Sequence, residues 1–249
     1  AENAVLTPAA TETALDGDTQ HFGNNVARLT WTISGAHVTS AAFTDVVHDR
    51  TIPLFALFSI NLTNGEKIPS DALILAARPQ RGLLQVSPGA ARVSDHLAGH
   101  FVTARFSDPK GRFAVLWRVE QRDGSPYLRE SITLTPSGAP LALKNVALLE
   151  AQTDVGEVSG DVQGSPVLIQ DAYFGIENPL ADSLVFNGHS RLSLSQALPV
   201  APGHDFTVSA VAGIARHGQM RRDFQIYVEH ERAHPYRPFL NYNSWYDIG

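Results

Sequence analysis

Along much of the chain, apolar and polar residues alternate one by one. In "GRFAVLWRVEQRDGSPYLRESITLTP", from Gly111, the residues Leu128, Glu130, Ile132 and Leu134 fall on one side and Tyr127, Arg129, Ser131 and Thr133 on the other. A period of two is what a pleated strand imposes on its side chains. Asp123-Gly124-Ser125-Pro126 breaks the run with turn-forming residues, so the segment predicts a hairpin. "RLTWTISG" from Arg28 predicts another strand, and Asn187-Gly188 sets a tight turn between "SLVF" and "HSRLSLSQ". "HDFTVSAVAGIA" puts Phe206, Val208 and Ala210 on one face. Gly and Pro recur at short intervals and no repeat is evident, the pattern of many brief strands joined by turns.

One stretch changes period. In "GQMRRDFQIYVEHER", Met220, Phe224, Tyr227 and Val228 stand at i, i+4, i+7 and i+8, the apolar stripe of a helix. Pro235 and Pro238 then hold the chain extended. The fold class expected is all-β: a large antiparallel β-sandwich with one C-terminal linker helix. Residues 1–217 read as the sandwich, 218–238 as helix and proline-rich connector. Residues 239–249 read as the first strand of a further domain, because "NYNSWYDIG" crowds Tyr242, Trp245, Tyr246 and Ile248 into a stretch that needs neighbours to cover it. On that reading the chain is a fragment.

Composition narrows the partners. With 249 residues, 43% of them hydrophobic, the chain is long enough for one large β domain. Its net charge is −6 and its 19 Lys and Arg are scattered, so it lacks the basic footprint that neutralises phosphates, and nucleic acid is not an expected partner. The longest apolar run, "IPLFALFSI" from Ile52, reads as strand-length, well short of the ~18 residues of a membrane span, and no membrane partner is expected. Cysteine is absent, which removes disulfides and thiolate zinc sites. The small-residue opening "AENAVLTPAATETALDGDTQ" looks like a mature N-terminus left by signal cleavage, so a secreted or periplasmic location is expected.

His230-Glu231-Arg232-Ala233-His234 satisfies the H-E-x-x-H pattern, two imidazoles one helical turn apart with a general-base glutamate between them. Three features argue against zinc: His234 directly precedes Pro235, Arg237 and Leu240 stand where a metzincin has glycine and histidine, and few residues follow to supply a third ligand. His96 and His100 of "DHLAGH" are interrupted by Gly99 and read as loop histidines, and Asn61 of "NLT" matters only in a eukaryotic secretory route. Nucleophile-elbow, P-loop and dinucleotide signatures are absent. No cofactor and no metal is expected. In "QDAYFGIENPLADS", Glu177 stands beyond Gly175 and near Pro179, where a strand would end and hand a carboxylate to a rim; a solvated loop carboxylate is the plain alternative.

Taken together, the hairpin, the rim "YFGIENPLA", the helix and the connector "HPYRPFLNYNSWYD" resemble the N-terminal β-supersandwich, galactose-mutarotase-like, of large secreted bacterial glycoside hydrolases of the α-galactosidase kind. The resemblance covers about the last 140 residues, in pieces. It implies a helical linker leading to a (β/α)8 barrel, with Asn243-Ser244-Trp245 on the first barrel strand. Trp245 would then wall a sugar ring and Asp247 would bind its hydroxyls, with Glu177 reaching towards the shared cleft as a third substrate-binding residue. Since both catalytic carboxyl groups would belong to the barrel, the chain alone would be an inactive docking domain whose partners are carbohydrate and its own barrel. Three other readings stand beside this one. A free-standing carbohydrate-binding module would need Trp31, Trp117 or Tyr127 exposed as a platform, although their strand context suggests core. An aldose epimerase would need His189 or His217 to converge with Glu177, and the fourth reading is the zinc peptidase.

Overall fold

The strand Ala27–Ser34 shows how alternation becomes a layer. Leu29, Trp31 and Ile33 are buried while Arg28, Thr30 and Thr32 face outwards, so one side of the strand is apolar and must be covered by another layer. The chain is described by a computed structural model covering residues 6–238, in which two antiparallel sheets cover one another.

Ten strands form the first sheet, in the order Glu12–Ala14, Thr19–Gly23, Ala27–Ser34, His37–Asp45, Arg50–Leu54, Leu143–Gln152, His189–Ser195 and Asp182–Phe186. Phe58–Leu62 also pairs with Leu143–Gln152, and Lys67–Pro69 pairs with Phe58–Leu62. Nine strands form the second, in the order Gly156–Val158, Val167–Ile169, Ala172–Ile176, Phe206–Ile214, Tyr127–Pro136, Phe113–Arg122, Gly99–Ser107 and Ile74–Leu75, with Gln80–Leu84 also on Gly99–Ser107. The expected hairpin is Phe113–Arg122 with Tyr127–Pro136, and the Asn187-Gly188 turn joins Asp182–Phe186 to His189–Ser195.

Aromatic pairs knit the layers. Trp31 meets Trp117 at 5.3 Å, Phe43 meets Phe174 at 5.2 Å and Phe58 meets Phe106 at 5.4 Å, each edge to face and each joining one sheet to the other. Such contacts add about 0.5–1.5 kcal/mol beyond the area they bury. Trp31, Trp117 and Tyr127 are 1%, 0% and 2% exposed, so none of them offers a ring to a sugar. The buried indoles need acceptors: Trp31 Nε1 donates to Gln20 Oε1 at 3.0 Å and Trp117 Nε1 to Glu130 Oε1 at 2.5 Å. Glu130 is thereby a carboxyl group inside the core, with its Oε2 unpartnered.

Two expectations need correction. "IPLFALFSI" is not one strand. It bends at Phe55–Leu57, so that Leu54 pairs with Ala151 while Phe58 to Leu62 pair with Leu148 to Leu143. Both halves share one partner strand, whose bulge is marked by Leu149 at φ 53°. His100 is not in a loop but in the strand Gly99–Ser107, while His96 ends a short 3-10 turn, Val93–His96. Gly99 permits this: a Cβ there would sit 2.3 Å from the Gln121 carbonyl oxygen of the adjacent strand.

The helix Met220–Glu231 packs on the outer face of the second sheet. Met220, Phe224, Tyr227 and Val228 meet Tyr127, Tyr173, Val211 and Ala215 in a second, smaller core. Tyr173 packs against residue 213, which must be glycine because a Cβ there would come within 2.3 Å of the tyrosine ring and hydroxyl. Near the helix start, Asp223 accepts the Arg216 backbone N–H at 2.7 Å and the Arg216 guanidinium.

Candidate functional site

The helix end and the sheet beneath it are joined by a network of charges. Glu177 follows the strand Ala172–Ile176, and its backbone N–H bonds the Ser209 carbonyl at 2.8 Å. Strand alternation puts Arg129 on the same outer face, where its Nε and Nη2 donate to the two Glu177 oxygens at 2.8 and 2.7 Å. Tyr227, from the helix, donates its hydroxyl to Glu177 Oε1 at 2.7 Å. Both carboxylate oxygens of Glu177 are therefore occupied by protein donors. Burial pushes the Glu177 carboxyl upwards, but the Arg129 hydrogen bonds and charge outweigh it and hold the group below its ordinary value.

Arg129 also donates to Glu120 at 2.9 Å and stands 3.4 Å from Glu231, the last residue of the helix. Glu231 in turn accepts from the Tyr127 hydroxyl at 2.8 Å and from Ser94 Oγ at 3.1 Å, with Arg92 3.7 Å away. Burial first, then the neighbouring carboxylates, drive the Tyr127 and Tyr227 hydroxyls far above their ordinary values, so both stay neutral donors. This arrangement is a clamp, with bidentate and charge-assisted bonds fixing where the helix ends.

The clamp also disposes of the metallopeptidase geometry. The helix stops at Glu231, and Arg232 is extended at φ −61° and ψ 143°, so His230 and His234 do not share a helical face. Glu231, the general base of that pattern, points at Tyr127 and Ser94 instead.

A second cluster, invisible to sequence reasoning, joins the two sheets. Asp45 closes the strand His37–Asp45, and His48 follows in the turn that leads to Arg50. Asp171 sits in the turn between Val167–Ile169 and Ala172–Ile176 of the other sheet, after Gln170 at φ 57°. His48 Nδ1 lies 2.7 Å from Asp45 Oδ2 and 3.9 Å from Asp171 Oδ2, while Arg50 Nη1 is 3.4 Å from Asp171 Oδ2. His217, between the last strand and the helix, puts Nδ1 3.1 Å from Asp171 Oδ1. Asp45 is 2% exposed and Asp171 8%. The sequence offered only Asp45 and His48 three residues apart; Asp171 arrives from more than 120 residues downstream, and no local pattern announces it.

The remaining site expectations are placed as follows. His189 lies on the first sheet, its ring stacked on Phe55 at 4.6 Å and on Phe186 at 5.7 Å, so it does not join Glu177. The Phe55–His189 pair walls an open hollow of about 610 Å³ that Gln152, Asp154 and Asn187 also line. His217 faces Asp171, not Glu177. Trp245 and Asp247 lie outside the described residues.

No protein-family model matches the chain, and none of the curated proteins compared is similar to it. Among solved structures, a variant of the family-36 glycoside hydrolase α-galactosidase AgaA from Geobacillus stearothermophilus, in complex with 1-deoxygalactonojirimycin, is similar at 10% identity and a TM-score of 0.51. The match covers 89% of this chain and 43% of that one. An α-galactosidase from Lactobacillus brevis is similar at 12% identity and a TM-score of 0.49, covering 92% of this chain and 43% of that one. The heparan sulfate lyase HepC from Pedobacter heparinus is similar at 8% identity and 0.47, covering 83% and 36%. The chain thus spans less than half the length of these proteins, and what it shares with the AgaA variant is a fold.

Proposed function

We propose that the chain is the non-catalytic N-terminal sandwich of a secreted or periplasmic glycoside hydrolase, docking on a (β/α)8 barrel and forming one wall of its carbohydrate cleft. The observation that carries the reading is the fold match to an α-galactosidase over 89% of this chain but 43% of the neighbour. The helix clamp supports it: a helix held at its end by Glu177, Arg129 and Glu231 delivers the following segment to one fixed side of the second sheet. In this reading Glu177 is a positioning residue that acts through the helix. Trp245 and Asp247, beyond the proline connector, are the residues assigned to the sugar itself.

Hydrolysis of a glycosidic bond needs two carboxyl groups flanking it, and this reading assigns both to the barrel. Purified chain incubated with aryl α-galactosides is expected to release no aryl alcohol, and to leave the optical rotation of fresh galactose decaying at its spontaneous rate. Turnover in either assay would put chemistry on the sandwich and contradict the proposal.

A further inference from the structure

We propose that Asp45, His48 and Asp171 form a three-ligand binding site for a divalent transition metal of the zinc type, stapling one sheet to the other. One Oδ of each aspartate and a ring nitrogen of His48 all lie within 4.8 Å of one another. A tetrahedral ion with bonds of about 2.0–2.1 Å holds its ligand atoms roughly 3.3 Å apart. The observed separations from His48 Nδ1, 2.7 and 3.9 Å, straddle that spacing.

Charge gives the independent reason. Two carboxylates that are 2% and 8% exposed approach the one His48 ring nitrogen from opposite sheets, with the Arg50 guanidinium on Asp171 only, and buried carboxylates must be paired. A divalent cation between the two carboxylates would serve both, while Arg50, 3.4 Å from Asp171 Oδ2, becomes the outer partner that orients that ligand. A nitrogen donor and a small ligand count select a zinc-like ion over calcium or magnesium, which take six or more oxygens or keep their water. His48 Nδ1 faces Asp45 directly, so the metal displaces any proton held between them. The site does not depend on the glycosidase reading.

The test uses the whole chain without a histidine tag, stripped with a chelator and titrated with Zn²⁺ and with Co²⁺. One ion per chain is expected, with visible Co²⁺ absorption of a tetrahedral nitrogen and oxygen site and a Tm that rises with Zn²⁺ concentration. Asp45→Asn and Asp171→Asn, each checked for folding by circular dichroism, are expected to bind on the order of a hundredfold more weakly. His48→Gln, at a partly exposed position, serves as the further variant should either buried substitution unfold the chain. A His230→Ala, His234→Ala variant is expected to bind as the parent does. Absence of saturable binding by the folded parent at millimolar Zn²⁺ overturns the site, as does binding that survives His48→Gln unchanged or vanishes with the His230, His234 pair.

Discussion

Glu130 is where a single residue sets a property of the whole fold. Burial pushes its carboxyl up to about 8, against which the Trp117 hydrogen bond pulls down only in part. In the unfolded chain the group ionises near 4.5. Below that pH both states are protonated; between the two values the unfolded chain loses a proton that the folded one keeps. Stability therefore falls as pH rises from about 4.5 to about 8, by an amount on the order of 3–5 kcal/mol in total. Glu130→Gln keeps an acceptor for Trp117 and removes the charge. Urea denaturation at pH 5 and pH 8.5 is expected to show a smaller loss of midpoint in the variant, and an equal loss in both proteins would contradict this origin. Alternation already placed Glu130 with Leu128 and Ile132; that Trp117 supplies the partner depends on the side-chain directions of two neighbouring strands and was not legible.

Among the elements, the helix was legible and its anchoring was not. The i, i+4, i+7, i+8 spacing of Met220, Phe224, Tyr227 and Val228 gave its apolar face, because a helical period is local. The partners of Glu177 and Glu231 are Arg129 and Tyr127, 48 and 104 residues away in sequence, and separations of that size leave no local signature. In "HERAH" the spacing satisfied the pattern while Pro235, just after His234, argued against a shared helical face, and the helix indeed ends at Glu231. Removing Arg129 leaves the largely covered Glu177 with only the Tyr227 hydroxyl and no counter-charge, so Arg129→Met is expected to destabilise by about 3 kcal/mol. Tyr227→Phe, which loses one hydrogen bond to a charged group, is expected to cost about 1.5–3 kcal/mol. Hydrogen exchange should locate the effect: amides of Met220–Glu231 lose protection in Tyr227→Phe while those of the strand Phe113–Arg122 keep it. Uniform loss across both would mean that the helix is not a separately anchored unit.

At the scale of the molecule, the strand alternation and turn residues disclosed a two-sheet sandwich, since each strand reports its own buried face. The strand order was hidden. It follows from long-range pairings such as Ala151 with Leu54 and Leu134 with Phe206. The same distance hid the cluster at Asp45 and Asp171, which exists only once the sheets face each other. The claim that organises the rest is that these 249 residues are one part of a longer glycoside hydrolase. The most direct measurement is the intact mass, from its natural source, of the polypeptide that carries this sequence. Since the chain spans 43% of the AgaA variant it matches, a mass at least roughly twice the 27.0 kDa of these residues is expected. A native polypeptide of about 27 kDa would contradict the account.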